Sequence, residues 1–209
     1  MYPTIEVRWF LKGVVPLSVW TWYGRWGADL GQQPARVDYY LRIIGGDSLG
    51  VKLREGRIEI KQRYGKREIV RFAEGAAGTV EHWRKWSFPL VESGDLLAGL
   101  RDSSSSWIGV RKERALRLFQ VMEGGAVTAL PASAVLPVGC GWEVANVKVE
   151  DAEESWWSVG FEAFGNEDER RNTLFSVSRH VLLAGQAPGL GLEDSYGYPR
   201  WLGCRGLSL

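Results

Sequence analysis

Residues 4–11 read Thr-Ile-Glu-Val-Arg-Trp-Phe-Leu, and their alternation decides how the N-terminal segment folds. Every second residue from Ile5 to Leu11 is apolar, while Glu6 and Arg8 lie on the opposite face. A period of two indicates a β-strand, because successive side chains of a strand point to opposite faces. The segment therefore predicts a strand that places a carboxylate beside a guanidinium.

The same alternation recurs through the first two thirds of the chain. A strand is predicted at residues 51–54, a turn at 55–57, a second strand from residue 58, and a third at 107–121. On each of these strands, charged side chains share one face. They are Lys52 and Arg54 on the first, Glu59, Lys61 and Arg63 on the second, and Lys112 and Arg114 on the third.

The rest of the chain supplies two more strands and one helix. Strands are predicted at residues 142–150 and 156–164, and a short apolar strand within 124–141. A helix is predicted at 166–184, with an N-cap at its start, acidic residues in its first turn and a glycine after it. Many short strands with few helices predict an α+β protein, mainly antiparallel β, built as a barrel or a sandwich.

One region has no clear period. Residues 81–100 mix helical and irregular signals, and the glycines at 94 and 99 and the serines at 103–106 then interrupt the chain. We expect no regular strand there.

Composition describes one ordinary soluble domain spanning residues 1–209. Apolar residues make up 45% and charged residues 24%, with 26 basic against 25 acidic groups and 11 tryptophans. A disordered chain would be poorer in aromatic residues and further from neutrality. These figures exclude intrinsic disorder and predict a substantial core.

The sequence predicts neither a membrane span nor a secretory signal. The uncharged stretch at residues 126–142 contains two prolines and is too short to cross ~30 Å of hydrocarbon. The N-terminus lacks a basic segment followed by an apolar run, so a cytoplasmic location is expected.

Cysteine and histidine are too few to support most metal and redox chemistry. Two of each occur, widely spaced, which favours neither a disulfide framework nor a zinc site. A metal ion would have to be held by carboxylates, as hard cations such as magnesium, manganese or calcium are.

Charge is balanced overall but divided along the chain. Residues 52–117 carry 15 basic and 9 acidic groups, whereas residues 140–200 carry 5 basic and 11 acidic groups. Either two solvated faces result, or the fold brings a basic and an acidic wall together around an anionic ligand. Arginine outnumbers lysine 19 to 7, which favours a phosphate or carboxylate partner because a guanidinium binds two oxygens at once.

Motifs of the common phosphate-binding and hydrolytic classes are absent. The chain has no glycine-rich loop ending in Gly-Lys-Ser/Thr, no Gly-x-Ser-x-Gly and no paired-histidine helix. What remains is the order of its charged strands. These are Glu-x-Arg followed by Phe-Leu at 6–11, Asp-Tyr-Tyr-Leu at 38–41, Val-Lys-Leu-Arg at 51–54, a strand with Lys at 58–63, Arg-Lys-Glu-Arg at 111–114, acidic strands at 142–147 and 160–163, the helix, and a Ser-Tyr tail at 195–202.

This order resembles the CYTH, or triphosphate tunnel metalloenzyme, superfamily over nearly the whole chain. The resemblance implies a closed, tunnel-like antiparallel barrel with a few flanking helices. It implies metal-dependent hydrolysis of an inorganic or organic triphosphate, or of polyphosphate, with Mg²⁺ or Mn²⁺. The catalytic and metal-binding residues would be Glu6, Glu143 and Glu162, and the triphosphate-binding residues would be Arg8, Lys52, Arg54, Lys61, Arg63, Lys112 and Arg114.

The chain departs from the superfamily pattern at several charged positions. Thr4, Ala145 and Gly160 stand where acidic residues are expected, and Arg8 stands where a lysine is expected. Two alternatives therefore stay open. One is a catalytically inactive, phosphate-binding protein of the same fold. The other is an aromatic-rich barrel that binds a macromolecule through the cluster at residues 20–26, although the near-neutral net charge makes nucleic acid an unlikely partner. The sequence leaves the oligomeric state open.

Overall fold

The computed structural model describes residues 1–27, 31–90 and 106–205, and these form nine strands and three helices. The strands are β1 (Tyr2–Lys12), β2 (Arg36–Leu41), β3 (Leu49–Arg54), β4 (Arg57–Ala73), β5 (Ala76–Pro89), β6 (Trp107–Val121), β7 (Val127–Leu130), β8 (Gly139–Val149) and β9 (Ser155–Phe164). The helices are α1 (Leu17–Tyr23), α2 (Glu167–Leu183) and α3 (Tyr198–Arg205), and short 3-10 turns occur at Gly24–Trp26 and Leu192–Asp194.

Eight strands close into an antiparallel barrel. Going round it, the order is β1, β9, β8, β6, β2, β3, β4 and β5, and β5 pairs with β1 again. The ninth strand, β7, pairs with β6 beside the barrel. The predicted fold class, a closed and mainly antiparallel barrel with a few flanking helices, is confirmed.

Most element boundaries agree with the sequence prediction to within three residues. Strand β6 has the predicted bounds, and helix α2 is one residue shorter than predicted at each end. The expectation of mixed helical and irregular structure is wrong for residues 81–89, which belong to β5. Polar side chains lie on both faces of β5, which hides its period, but pairing with β4 and β1 holds it extended. Residues 91–105 lie outside the described residues.

The apolar faces of the strands point outward and are covered by helices. Trp9 of β1 and Trp142 of β8 belong to a fully buried cluster that includes Leu174 and Val177 of α2. Burial of such side chains from water is the main favourable term in folding, at about 25 cal/mol per Å². The inner face of the barrel is consequently left to the charged residues.

The aromatic cluster at residues 20–26 packs into this outer core. Trp22 and Tyr23 of α1 are fully buried, and their rings lie 4.8 and 4.3 Å from that of Trp142. The expectation that this cluster offers ring faces to a macromolecule therefore does not hold for Trp22 and Tyr23, because both are covered by the barrel wall.

Helix α3 fills one end of the barrel interior. Its Trp201 stacks on Phe10 with a centroid distance of 5.1 Å, and its Tyr198 stacks on Tyr40 at 5.6 Å. The preceding segment lies against β1, where the Tyr196 N–H donates to the backbone oxygen of Arg8. These contacts close that end with aromatic side chains.

Across the described part of the chain, no helix combines the length and the apolar character that crossing a membrane would need.

Candidate functional site

A charged cavity of about 290 Å³ lies inside the barrel, next to the aromatic end. All eight barrel strands contribute a charged side chain to its lining, eight basic and four acidic in total. The basic residues are Arg8, Arg36, Lys52, Arg54, Lys61, Lys85, Lys112 and Arg114, and the acidic residues are Glu6, Glu59, Glu143 and Glu162. Nine of the ten site residues named from the sequence therefore face one cavity.

Arg8 joins two of the predicted carboxylates. Its Nε donates to Glu6 at 2.8 Å, and its Nη1 donates to Glu143 at 2.8 Å and to the Ser158 hydroxyl at 3.4 Å. Burial opposes the charged form of Arg8, but Glu143 and Glu6 outweigh it and raise the pKa of the guanidinium well above its usual value. Arg8 is thus a fixed cation.

Lys61 joins Glu6 to the third carboxylate. Its Nζ donates to Glu162 at 3.0 Å and also donates to Glu6. Burial tends to raise the pKa of Glu162, but the Lys61 ammonium dominates and lowers it to about 2. Both groups are therefore charged at neutral pH.

Glu143 is shared between two guanidinium groups. The Nη1 of Arg114 donates to its second oxygen at 2.9 Å, while Arg8 holds the first. Burial alone would raise the pKa of Glu143, but Arg8 and then Arg114 lower it far below its usual value. A permanent anion here keeps both guanidinium groups in place.

The pKa values of Lys52 and Lys112 are lowered because both ammonium groups are desolvated in the barrel. Lys112 contacts Asp38 at 3.1 Å, and Lys52 contacts Glu59 at 2.9 Å. Desolvation lowers the pKa of Lys112 to about 8. Desolvation and repulsion from the Lys112 ammonium lower the pKa of Lys52 to about 7. Part of the positive charge in the cavity is therefore adjustable near neutral pH.

Arg63 does not line the cavity, unlike the other nine residues predicted for the site. Its guanidinium donates to Glu81 at 2.7 Å and to Asp47 at 2.8 Å. Its strand position faces inward, like those of Glu59 and Lys61, but its side chain is taken up by this separate ion pair. We interpret it as a structural residue.

Four charged residues of this interior were missed by sequence reasoning. The sequence places Glu59 on the same predicted strand face as Lys61, but only the basic residues of that face were expected to bind the ligand. Asp38 was visible only as part of a Tyr-Tyr motif. Arg36 lies at the start of β2, and Lys85 lies in the segment that had no clear period.

The three predicted carboxylates do not fit a divalent metal site as they stand. Both oxygens of Glu6 and of Glu143, and one oxygen of Glu162, are bonded to Arg8, Lys61 or Arg114, and the guanidinium of Arg8 occupies the space above Gly160. Within residues 1–27, 31–90 and 106–205, no group of three or more His, Cys, Asp or Glu side chains is arranged to hold a metal ion.

Trp83 of β5 adds an aromatic side chain to the charged lining of the cavity. Its indole N–H is enclosed by protein atoms and makes no hydrogen bond to the described residues, which costs about 1–3 kcal/mol. The arrangement as a whole can hold a small, strongly anionic molecule.

Comparison of the chain with protein-family models and with curated proteins gives no match in either case.

Proposed function

We propose that the protein binds a linear oligophosphate of the triphosphate class inside the barrel. The carrying observation is that eight basic side chains line the cavity against four carboxylates, with a fifth carboxylate, Asp38, buried beside Lys112. A phosphate monoester carries only about −1.5 to −2 and would leave much of this charge unmatched. A chain of several phosphates supplies enough negative charge within a small volume.

The types and positions of the basic residues support a phosphate chain. Arg36, Arg54 and Arg114 come from three different strands and are each about one fifth exposed, at the accessible side of the cavity. Each guanidinium can bind two phosphate oxygens at once. Lys112 lies deeper and is nearly fully buried. Three other lysines of the lining are exposed to a similar or greater degree than the arginines, namely Lys52, Lys61 and Lys85. A ligand would therefore meet arginines and lysines together, with Lys112 further in.

Binding is better supported than hydrolysis. The metal-dependent hydrolysis implied by the superfamily resemblance needs carboxylates that can hold Mg²⁺ or Mn²⁺, and here those carboxylates are bonded to basic side chains. We therefore favour the phosphate-binding alternative. Release of orthophosphate from tripolyphosphate, followed with and without each metal ion, distinguishes the two, since sustained release would establish hydrolysis.

Calorimetric titration of inorganic tripolyphosphate into the purified protein tests the proposal. We expect binding that weakens as salt is added, because the attraction is electrostatic. Arg54→Ala should weaken binding at least about tenfold, which corresponds to 1.4 kcal/mol. The control is Arg111→Ala, which removes an exposed arginine from the outer face of β6.

Two results would overturn the proposal. One is the absence of binding by the folded wild-type protein. The other is equal loss of affinity in Arg54→Ala and Arg111→Ala, because binding would then depend on overall charge and not on the cavity.

A further inference from the structure

We propose that Arg8, with Lys61, neutralises the barrel carboxylates that would otherwise be free to bind a divalent cation, so that this chain binds its oligophosphate without a metal ion. The ligand in this statement rests on the proposed function. The exclusion of metal from the carboxylates rests on side-chain contacts alone, and it can be tested separately.

The guanidinium of Arg8 is bonded to two of the three carboxylates, those of Glu6 and Glu143. Oε1 of Glu6 accepts from Nε of Arg8, and Oε1 of Glu143 accepts from Nη1, each at 2.8 Å. The Glu6 and Glu143 carboxylates are thereby both neutralised by one cation that belongs to the chain. Hard divalent cations are bound by carboxylate oxygens, and these two are already bonded to Arg8.

The backbone of β9 makes room for this guanidinium. Gly160 is paired with Arg8 in the register of β1 and β9. A β-carbon at position 160 would lie 2.6 Å from Cζ of Arg8 and 2.7 and 2.9 Å from its two terminal nitrogens. Any other residue at this position would displace the guanidinium. Glycine here and arginine at position 8 therefore form one structural unit.

Lys61 extends the same arrangement to the third carboxylate. It contacts the remaining oxygen of Glu6 and Oε1 of Glu162. Cations and anions thus alternate in the order Glu143, Arg8, Glu6, Lys61, Glu162. Each interior position between two of these carboxylates already holds a positive charge that belongs to the chain.

This arrangement has a consequence for added metal ions. A divalent cation entering the group would have to displace Arg8, and the displaced guanidinium would lose two charge-assisted hydrogen bonds in a buried site. In solution the same cation forms complexes with free oligophosphate. Added magnesium should therefore compete with the protein for the ligand.

The first test uses the wild-type protein and tripolyphosphate, titrated in the presence of EDTA and then in excess Mg²⁺. We expect binding in EDTA, with equal or weaker apparent affinity in Mg²⁺. Binding that requires Mg²⁺ would overturn the inference. Binding in neither buffer would refute the proposed function, and the second test then decides the role of Arg8.

The second test measures bound Mn²⁺ by electron paramagnetic resonance and needs no phosphate ligand. The wild type should bind no Mn²⁺ in the barrel, whereas Arg8→Gln, which frees both Oε1 atoms, should gain one Mn²⁺ site. The control is Lys112→Met, which removes another buried cation but leaves Asp38 paired with Arg36 at 3.0 Å. This control should gain no site.

A wild-type protein that binds Mn²⁺ as tightly as Arg8→Gln would overturn the inference. So would a folded Arg8→Gln protein, judged by circular dichroism, that gains no site. If Arg8→Gln does not fold, Gly160→Ala displaces the guanidinium while keeping its charge. The inference then requires that Gly160→Ala gain Mn²⁺ binding that the wild type lacks.

Discussion

The ammonium of Lys112 lies 3.8 Å from the centre of the Tyr198 ring, so helix α3 directly contacts the deepest cation of the cavity. The guanidinium of Arg8 lies 5.2 Å from the same ring. A cation over an aromatic face is stabilised by about 0.5–2 kcal/mol, more when it is desolvated. The aromatic end of the barrel and its charged cavity are thus energetically connected through Tyr198.

Replacing Tyr198 should affect both stability and ligand binding. We expect Tyr198→Leu to lower the free energy of unfolding by about 2 kcal/mol, because it removes an aromatic ring that contacts two buried cations and stacks on Tyr40. Tyr198→Phe keeps the ring and serves as the control. Equal denaturant midpoints for the two variants would show that the ring contacts contribute little.

Ligand binding should draw protons from solution. The pKa values of Lys52 and Lys112, about 7 and about 8, lie below the usual lysine value because of burial. A bound anion favours their charged forms and raises both values. Titrations at pH 8 in buffers with different ionisation enthalpies should therefore show proton uptake, reduced in Lys52→Met. Binding heats that are identical in all buffers would contradict this prediction.

The same two lysines should make stability rise with pH in a limited window. Their pKa values in the folded protein lie below the unfolded value of 10.5, so between these values the unfolded chain binds more protons, and the free energy of unfolding increases from about pH 7 until the pH reaches the unfolded value. From about pH 9, the raised pKa of the buried Cys140 thiol acts in the opposite direction and reduces this rise. Lys112→Met should flatten the rise, measured as melting temperature against pH, whereas the exposed Lys66→Met should leave it unchanged.

Acid should destabilise the protein through its interior carboxylates. Burial opposes ionisation of the Asp38 and Glu59 carboxyl groups. The Lys112 ammonium outweighs this effect at Asp38, and the Lys52 ammonium does so at Glu59, so that both pKa values are lowered to about 2. The stabilisation they provide is complete above pH 5 and is lost as pH falls from about 4 toward 2. Asp38→Asn should reduce the steepness of acid unfolding followed by tryptophan fluorescence, and an unchanged curve would contradict the assignment.

Trp22 should behave as a core residue and not as a ligand-binding residue. Trp22→Ala is expected to cost about 3–5 kcal/mol in unfolding free energy, since it empties a fully buried position against Trp142. The affinity of the folded variant for tripolyphosphate should stay within about twofold of the wild type, well below the tenfold change that 1.4 kcal/mol represents. A large loss of affinity without loss of stability would place Trp22 in the binding site.

The inward and outward faces of β1 could be predicted from sequence because Glu6 and Arg8 alternate with fully buried apolar residues. The face of β5 could not, since His82 and Lys85 put polar groups on opposite sides. Helix α3 was missed because it has only eight residues, with Pro199 at its start. A helix this short forms only through its packing in the barrel.

The ionic partners inside the barrel were beyond sequence reasoning for a topological reason. Asp38 meets Lys112 because β2 pairs with β6, and that pairing closes the barrel between strands far apart in the chain. Alternation assigns a side chain to a face, but only the register between strands decides its neighbours. The same limit hid the engagement of Glu6, Glu143 and Glu162 by basic side chains.

Trp201 and the aromatic residues beside it fill one end of the barrel, and this restricts the shape of the ligands that the cavity can admit. A ligand that enters through the accessible side must insert one end first and leave by the same side, because the barrel is closed at the other end. A linear triphosphate has a terminal phosphate group that can insert in this way, whereas cyclic trimetaphosphate has the same number of phosphorus atoms but no free end. Discrimination between the two would then follow from the closed floor of the barrel as well as from charge.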